Sequence, residues 1–452
     1  MRNIIGLDIG TSSVKGILMT EDGTVKKTAR GGFDYTKLEN GGIEIAADDF
    51  IDVCFSTIRE LAQAADGEVA GICAASASGN LVILDKKNKP VTPIFNWQDT
   101  RVTTDARDIL GDMDLDAFYN KVGWPFDYKT FPLALACYVK KHEPEKIKNC
   151  GKVCMSTEYL YYKLTGKWGI STSAGTPFYF IDQITGKYIP EVLEKLGINE
   201  TQVPPVMPCG SILGTVTEKA AADCGLSEAV QVVLGSFDHP SAARGAGIMN
   251  EGEMLLSCGT SWVGFFPVKQ REKLVKAKTL IDPFLSEKGG CWAGMVSVPS
   301  VSEQIWTYVS KYIDDSKDAY KKLSEYAKKS TAGANGLVIC PTKTPCDEEI
   351  LKYPKEDIAR AIMEGTVNLL KDKLNALSVV GIKTEKAIMV GGPSEDLMWI
   401  SLISEICKIK AEPAFGVATG AVGAAILAGI GVGIYKDEKE ANKLINGGKN
   451  NV

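Results

Sequence analysis

The chain has 452 residues, enough for two or three domains, and its 45% apolar and 24% charged residues are typical of a globular protein that buries sizeable cores. The formal net charge is only -5 and no basic run stands out, which argues against nucleic acid or an anionic membrane surface as the main partner. The opening MRNIIGLDIG has an Asp in its first apolar stretch and lacks the pattern of a secretory signal, so we expect a cytoplasmic protein.

Two features of the sequence could indicate a zinc site and a membrane span, and each has a simpler interpretation. The pair Cys150 and Cys154 has a loose zinc-like spacing, but the chain has only two histidines, His142 and His239. We therefore interpret the twelve scattered cysteines as reduced core residues. The stretch 416–435 is nearly long enough to cross a bilayer but is mostly Gly and Ala, so we expect a buried helix that packs closely against a neighbour.

The first 76 residues predict one α/β unit. Strands are expected over 3–9, 14–19 and 24–29, separated by GTSS and by a turn at Asp22-Gly23. A helix is expected over 48–65, because its apolar residues recur at helical spacing, and a buried strand follows over 69–76. Three antiparallel strands, a crossover helix and a parallel strand form such a unit.

The second half repeats this order of elements. GEMLLSCGTSWVGFFPV predicts a strand, a turn and a strand, and GGCWAGMVSV predicts a third strand. SVSEQIWTYVSKYI then predicts an amphipathic helix, and EDIARAIMEGTVNLLKDKLNAL predicts a long helix. KAIMVGG predicts a buried strand. We infer an internal duplication, with domains over 1–246 and 247–452. A cleft between duplicated α/β domains is a natural nucleotide site.

The two Gly-Thr-Ser turns predict a phosphate site. In DIGTSSVK the glycine lets the backbone approach a ligand, while the hydroxyls and the lysine add donors and charge. Asp8 would repel phosphate and suits a magnesium ion instead. Two such turns can contact one triphosphate from two sides. The alternatives are a polar hairpin turn for the first and an inherited turn without a ligand for the second.

Asp238 in VLGSFDHPSAARGAG is the candidate general base. It follows a strand and a Gly-containing turn, so its carboxylate can accept a proton from a substrate hydroxyl during phosphoryl transfer. An Asx-type cap of the next helix is the alternative. His239 is expected to orient Asp238 or to bind substrate, or else to be structural.

Two further motifs are assigned to the nucleoside and to the substrate. MVGGPSEDLMW is a strand that ends in paired glycines before a helix, where bare backbone can lie against adenosine; a plain strand–helix turn is the alternative. IFNWQDTR offers an aromatic face, a carboxylate and a guanidinium to a sugar or polyol. Its alternative is a surface ion pair above a packed Trp97.

Taken in order, these motifs resemble those of the FGGY family of carbohydrate kinases, which includes xylulose, ribulose, gluconate and glycerol kinases. GLDIGTSSVKGILM is similar to the first phosphate motif, and LLSCGTS is similar to the second. LDKKNKPVTPIFNWQDTR is similar to the substrate loop, and GSFDHPSAARGAG is similar to the catalytic-base motif. IMVGGPSEDLMW is similar to the adenosine motif, and ATGAVGAAILAG is similar to the closing helix.

The resemblance implies a fold, cofactors and a set of site residues. The fold is α/β, with two duplicated ribonuclease-H-like domains of the actin and hexokinase type and an interdomain cleft. The cofactors are ATP and Mg²⁺, with Asp238 as catalytic base and Asp8 and Asp238 at the metal. ATP would contact Gly10, Thr11, Ser12, Ser13, Lys15, Gly259, Thr260, Ser261, Gly391, Gly392 and Ser394. The substrate would contact Ser78, Gly79, Asn80, Trp97, Asp99, Arg101, Asp238 and His239.

The expected function is ATP-dependent phosphorylation of a hydroxyl on a small sugar or polyol, with a ketopentose such as xylulose as the first candidate. Asn80 follows Gly79 where xylulose kinases tend to carry His, so glycerol, ribulose, gluconate and deoxysugars stay open. Family members are often dimers, and a homodimer is the expected assembly. A chaperone- or filament-type ATPase would leave IFNWQDTR and Asp238 unexplained. A non-catalytic sugar sensor would not need Asp238 and both Gly-Thr-Ser turns.

Overall fold

The computed structural model describes residues 1–76, 79–414 and 418–447. The strands, in chain order, are β1 Arg2–Ile9, β2 Ser13–Thr20, β3 Val25–Gly32, β4 Thr36–Lys37, β5 Ile43–Ile45, β6 Glu68–Ser76, β7 Val82–Asp85, β8 Ile94–Phe95, β9 Cys150–Cys154, β10 Ile170–Ser171, β11 Ile181–Asp182, β12 Lys187–Tyr188, β13 Val206–Met207, β14 Ile212–Thr215, β15 Gln231–Val233, β16 Gly252–Cys258, β17 Trp262–Val268, β18 Leu280–Asp282, β19 Trp292–Val298, β20 Thr384–Val390 and β21 Lys410–Pro413.

The helices, in chain order, are α1 Ala47–Gln63, α2 Asp105–Leu110, α3 Leu115–Val122, α4 Phe131–His142, α5 Pro144–Lys148, α6 Ser156–Thr165, α7 Thr172–Gly175, α8 Pro190–Leu196, α9 Glu218–Cys224, α10 Asp238–Ala246, α11 Arg271–Lys276, α12 Val301–Tyr312, α13 Ala319–Ala327, α14 Asp347–Ile350, α15 Lys355–Val379, α16 Leu397–Cys407, α17 Thr419–Gly431 and α18 Glu438–Gly447.

The chain divides into two compact units. Unit 1 contains the described residues of Met1–Gly247, Leu280–Gly290 and Gly416–Val452, and unit 2 contains those of Ile248–Thr279 and Cys291–Phe415. The first division therefore falls one residue after the predicted boundary at 246. The predicted second domain, 247–452, differs from unit 2 because an inner segment and the C-terminal helices belong to unit 1.

The sheet of unit 1 has the order β14-β15-β6-β1-β2-β3. β1 pairs antiparallel with β2 and parallel with β6, β2 pairs antiparallel with β3, and β15 pairs parallel with β6. The central strand β1 therefore forms a hairpin with β2 on one side, and a crossover connects the hairpin to the parallel strand β6 on the other side.

Alternation along β1 decides which helix covers each face of this sheet. Ile5, Leu7 and Ile9 face a core that includes residues of α1, α6 and α9, whereas Ile4 packs with the small residues of α17. Gly6 lies on the α17 side, and a Cβ there would come within 2.0 Å of the carbonyl oxygen of Ala421. The missing side chain therefore lets α17 lie directly on β1, which is why α17 belongs to unit 1 although it follows the strands of unit 2 in the chain.

The sheet of unit 2 repeats the same strand order. Five strands of this six-stranded sheet run β19-β17-β16-β20-β21, with β16 central, an antiparallel pair on one side and two parallel strands on the other. β16, β17, β19, β20 and β21 thus correspond to β1, β2, β3, β6 and β15. The predicted internal duplication of an α/β unit is confirmed by this match.

The predicted helices and strands of these motifs are present with shifts of a few residues at their ends. The Gly- and Ala-rich helix, α17, is buried along nearly its whole length, as expected. In the part of the chain that the structure describes, no helix combines the length and hydropathy that a bilayer crossing requires. All twelve cysteines are free thiols, and nine are buried, in line with the interpretation as core residues.

Candidate active site

Strand register in unit 1 places Asp8 and Asp238 at the same edge of the sheet. Ile9 is the register partner of Ser76 on β6, and Ser76 forms a parallel bridge with Phe237. Asp8 directly precedes Ile9, and Asp238 directly follows Phe237 as the first residue of α10. Ligands of open α/β sheets bind beyond the carboxyl ends of parallel strands, which is where this edge lies.

The two carboxylates influence each other electrostatically. Burial, together with the negative charge of Asp238, raises the pKa of Asp8 from 3.8 to about 6, and Lys15 opposes that shift. Lys15 is the register partner of Asp8 on β2. Gly420, in the first turn of α17, approaches so closely that a Cβ there would lie 2.5 Å from the Asp8 Oδ2 atom. Asp8 is thus held between a lysine and the amino-terminal end of a helix.

The chemistry of this pair fits a magnesium ion. Among the described residues, no group of three or more His, Cys, Asp or Glu side chains is arranged to hold a metal. Magnesium needs no such cage, because it is usually bound by one or two carboxylates together with substrate phosphates and water. Asp8 and Asp238 supply that number of carboxylates.

The first Gly-Thr-Ser turn is tight and leaves its hydroxyls near the surface. The N–H of Gly10 donates to the carbonyl of Ser13 at 2.9 Å, and the Ser12 carbonyl accepts the N–H of Phe33 at 2.9 Å. Ser12 and Lys15 are exposed, whereas Ser13 is buried as the first residue of β2. Thr11 accepts a hydrogen bond from the indole N–H of Trp97 at 2.9 Å. Ser13 therefore supports the turn, while Ser12 and Lys15 remain open to a ligand.

The second Gly-Thr-Ser turn, in unit 2, is one residue shorter between its strands, since Cys258 pairs with Trp262 whereas Ile9 pairs with Val14. The N–H of Gly259 donates to the carbonyl of Ser261 at 3.2 Å, and the Ser261 hydroxyl accepts the N–H of Ser300 at 3.0 Å. The hydroxyl of Ser302 donates to the Gly259 carbonyl at 2.8 Å. These bonds tie the turn to the start of α12 and leave Thr260 exposed.

The paired glycines after β20 have different surroundings. Gly391 has φ 95°, a conformation that favours glycine, and a Cβ there would lie 2.4 Å from the carbonyl oxygen of Cys258. Gly392 is exposed and has no such neighbour. The Ser394 hydroxyl donates to the Gly391 carbonyl at 2.6 Å, so it closes the turn.

A cavity of about 950 Å³ in unit 2 brings the second turn and the paired glycines together. Cys258, Gly259 and Gly392 lie in its wall. The wall also contains aromatic, aliphatic and charged residues, Trp262, Ile305, Tyr320, Lys321, Lys328 and Trp399 among them, together with the serines Ser302 and Ser324. None of these wall residues was predicted from the sequence as a site residue. They lie in, or for Lys328 directly after, four elements, β17, α12, α13 and α16, and only Trp262, directly after the second Gly-Thr-Ser turn, and Trp399, within the adenosine motif, lie in motifs that the sequence singled out.

The substrate-loop residues separate into an exposed ring and a buried ion pair. Trp97 is 39% exposed. The Asp99 and Arg101 side chains are 0% and 7% exposed and lie 2.8 Å apart, and Arg101 also contacts Glu44 at 2.7 Å. Asp99 further accepts the backbone N–H of Ile43 at 2.9 Å. Because these polar atoms are engaged within the loop, the contacts favour a supporting role for Asp99 and Arg101 over direct contact with a sugar.

The remaining substrate-loop residues pack against neighbouring elements. Gly79 has φ 88°, and a Cβ there would lie 2.4 Å from the ring of Phe131 and 3.0 Å from the Trp97 Cβ. Asn80 is buried, and its side-chain oxygen accepts the N–H of Ser156 at 2.6 Å, at the start of α6. Ser78 lies outside the described residues. The described part of the loop therefore links Trp97 to α4 and α6.

His239 is half-buried next to the candidate base. Its backbone N–H donates to the Asp238 carboxylate at 2.7 Å. Its ring lies edge-on to Phe237, with 6.3 Å between centroids. The orientation of Asp238 is thus influenced by the backbone of His239.

Comparison with known proteins decides the family. The model described as the FGGY family of carbohydrate kinases, N-terminal domain, matches residues 3–245, and the C-terminal domain model matches residues 347–432. The chain belongs to the FGGY family of carbohydrate kinases. It is therefore an ATP-using enzyme with a sugar-type substrate, and the predicted family, fold class and kinase activity are confirmed.

Relatives and solved structures match this FGGY kinase over nearly its whole length. A xylulose kinase of Bacillus subtilis (strain 168) is 26% identical over 462 residues, which cover 97% of this chain and 90% of the relative. The ligand-bound xylulose kinase from Lactobacillus acidophilus has a TM-score of 0.87 at 19% identity, covering 98% and 92% of the two chains. The Plasmodium falciparum glycerol kinase with ADP also has a TM-score of 0.87, at 18% identity, covering 98% and 92%. At these identities the solved structures support the fold.

Proposed function

We propose that this FGGY kinase transfers the γ-phosphoryl group of ATP to a hydroxyl of a small sugar, a ketopentose such as xylulose, with Asp238 as general base. The observation that carries the proposal is the pair of carboxylates at one strand edge, where the charge of Asp238 helps to raise the pKa of Asp8. The similarity to a xylulose kinase over 97% of the chain supports the choice of acceptor.

In unit 2 the nucleotide is assigned to the second Gly-Thr-Ser turn and to the cavity beside it, and in unit 1 the first turn is the candidate phosphate contact. Backbone N–H groups of tight turns attract anions, and Ser12, Lys15 and Thr260 are exposed beside them. The adenosine would occupy the cavity of about 950 Å³ that Gly259 and Gly392 border. Aromatic walls with a few polar groups suit a purine nucleoside.

Asp8 and Asp238 are the residues that would hold magnesium. Burial first, and then the neighbouring charge of Asp238, raises the pKa of Asp8, while Lys15 lowers it, so positive charge placed beside the two carboxylates would favour their ionised forms. When bound, magnesium supplies positive charge that offsets the charge of the phosphate oxygens.

The residues of this chain have two tasks in the reaction. They align the acceptor hydroxyl with the γ-phosphate, and they remove one proton from that hydroxyl. The acceptor oxygen forms a bond to the γ-phosphorus while the bond from that phosphorus to the β–γ bridging oxygen breaks, and ADP leaves. The hydroxyl proton passes to the Asp238 carboxylate. Because the transition state is loose, this transfer occurs late and Asp238 need not be a strong base. Lys15 and the turn N–H groups orient the phosphates, and exclusion of water prevents wasteful hydrolysis.

One observation favours a second acceptor, a deoxysugar. Asp99 and Arg101 were expected to bind sugar hydroxyls, but they are engaged with each other and with Glu44. Asn80 is likewise engaged with the backbone of α6. The exposed ring of Trp97 remains, and a ring stacks on the C–H face of a sugar without requiring many hydroxyls.

The proposed function is tested by an acceptor screen. Purified enzyme with magnesium-ATP is offered ketopentoses, aldonates, deoxysugars and polyols, and ADP release is followed alongside mass spectrometry of the phosphorylated product. We expect ADP release that depends on a ketopentose, with one phosphate per product molecule. If only deoxysugars were phosphorylated, the acceptor would be a deoxysugar and not a ketopentose. ADP release without any phosphorylated product would contradict the proposal.

A further inference from the structure

Arg244 is a fully buried cation on the helix that begins with Asp238. Its side chain is 1% exposed, and it lies six residues after Asp238 on α10. Burial of a guanidinium is unfavourable unless its donors find acceptors, so the contacts of this group indicate why the fold keeps it there.

The guanidinium donates hydrogen bonds on both sides of Asp238. Its Nη1 atom donates to the Ser236 hydroxyl at 3.3 Å and to the Pro240 carbonyl at 3.2 Å. Its Nη2 atom donates to the Phe284 carbonyl at 2.9 Å. Ser236 and Pro240 are the residues two before and two after Asp238. One rigid, planar group therefore spans the turn that carries the candidate base.

The ionic partner of Arg244 is farther away than these acceptors. The Nε atom lies 3.8 Å from a Glu438 carboxylate oxygen, which also contacts Lys288 at 3.3 Å, and Nε has no hydrogen-bond acceptor among the described residues. The guanidinium carbon lies 4.7 Å from the centre of the Phe284 ring. The close contacts of Arg244 are thus to the Asp238 turn and to Phe284, and the ion pair is secondary.

The opposite side of α10 is fixed by direct packing. The Ser241 hydroxyl donates to the Gly420 carbonyl at 2.9 Å, and a Cβ at Gly245 would lie 2.0 Å from the Thr419 carbonyl oxygen. α17 thereby holds the body of α10, while its first turn, with Asp238, is held by Arg244. Without the guanidinium, the segment from Ser236 to Pro240 loses its bridging donor.

We propose that Arg244 is a positioning residue for Asp238: its guanidinium fixes the turn that aims the carboxylate at the acceptor hydroxyl. The inference rests on the proposed function, in which Asp238 is the general base. A displacement of about 1 Å at a reacting group can lower a rate by two orders of magnitude. Loss of the bridge is therefore expected to reduce phosphoryl transfer to the sugar while ATP binding is retained.

The test compares Arg244→Lys and Arg244→Met with the wild-type enzyme. The single ammonium of lysine cannot bridge Ser236, Pro240 and Phe284 at once, and methionine has no donor. Both variants are therefore expected to lose about 10- to 100-fold in kcat for sugar phosphorylation. KM for ATP, and ATP hydrolysis without acceptor, stay at wild-type values per folded enzyme. The matched control is Thr165→Val, which removes a buried 2.8 Å hydrogen bond to the Tyr161 carbonyl within α6 of the same unit. It is expected to lower Tm and leave kcat unchanged.

Several results would overturn the inference. A wild-type kcat in Arg244→Lys excludes the positioning role, and so does a parallel fall of sugar phosphorylation and ATP hydrolysis. If the Arg244 variants fail to fold, Ser236→Ala removes one acceptor and leaves the guanidinium in place. A few-fold fall in its kcat is expected, and an unchanged kcat overturns the inference. Failure of the proposed function is distinguishable, because Asp238→Asn would then phosphorylate the sugar at the wild-type rate.

Discussion

The indole N–H of Trp97 donates a hydrogen bond to the hydroxyl of Thr11 at 2.9 Å. This bond joins the loop predicted to bind the sugar to the turn predicted to bind phosphate. The two motifs are far apart in sequence, and each was assigned its ligand independently. Their direct contact is what a kinase needs if the acceptor and the phosphoryl donor are to be aligned.

We expect Trp97→Phe to lower kcat/KM for the acceptor by about three- to tenfold, which corresponds to one hydrogen bond of about 0.5–1.5 kcal/mol. The ring is retained and the position is 39% exposed, so the free energy of unfolding should hardly change. Steady-state kinetics and denaturant unfolding measure the two quantities. Thr11→Val removes the other partner, and the double variant should lose less than the sum of the single losses. Strictly additive losses would show that the bond has no part in alignment.

We expect Gly391→Ala to destabilise unit 2 and to weaken ATP binding. The substitution places a Cβ 2.4 Å from the Cys258 carbonyl oxygen at a backbone φ of 95°. Strain of this kind costs on the order of 1–3 kcal/mol. Gly392→Ala is the matched control for stability, since nothing lies within 4 Å of its added Cβ. Thermal unfolding and ATP titration test the pair, and equal Tm values for the two variants would contradict the structure.

The buried carboxyl of Glu158 predicts a pH dependence of stability. Its side chain is 0% exposed, and burial raises its pKa from 4.5 to about 8. The folded protein keeps this proton to about pH 8, whereas the unfolded chain releases it near pH 4.5. The stability that the protonated group contributes is therefore full below pH 4.5 and is lost as the pH rises to about 8.

Glu158→Gln isolates this contribution. The amide oxygen can still accept the N–H of Met155, but the side chain cannot ionise. The free energy of unfolding of the variant should rise relative to wild type between about pH 5 and pH 8, by on the order of a few kcal/mol. Urea unfolding at several pH values measures the difference. Asp8 and Asp282, which titrate near pH 6, are present in both proteins and cancel. A difference that does not vary with pH would refute the assignment.

Local pattern was enough to predict the fold and to single out the two acids on which the proposed function depends. Apolar runs divided by turn residues, and the repeated order of these elements, predicted the duplicated α/β units, because both are properties of neighbouring residues. Asp8 and Asp238 were found because each lies where an apolar run ends. The glycine at position 6 carried no comparable signal, although it is what allows α17 to lie on β1.

The parts that sequence reasoning missed depend on contacts between distant segments. Arg101 was predicted at the sugar, and the structure adds a contact of its guanidinium with Glu44 on β5, 57 residues away in the chain, that local pattern does not indicate. Arg244 stands out in sequence as a charge among small residues, yet its contact with Phe284 is set only by tertiary packing. The wall of the unit 2 cavity likewise joins Trp262 to Trp399, whose ring centres lie 5.3 Å apart.

The most direct test of the account is the turnover of Asp238→Asn with magnesium-ATP and the best acceptor from the screen. The amide keeps the size of the side chain and cannot accept the hydroxyl proton, so sugar phosphorylation should fall by about 10²–10⁴-fold. ATP affinity without magnesium, measured by calorimetry in the same preparation, should be at least as high as in wild type, because the substitution removes a negative charge and the metal contact of Asp238 plays no part. Wild-type turnover in this variant would contradict the assignment of Asp238 as the general base.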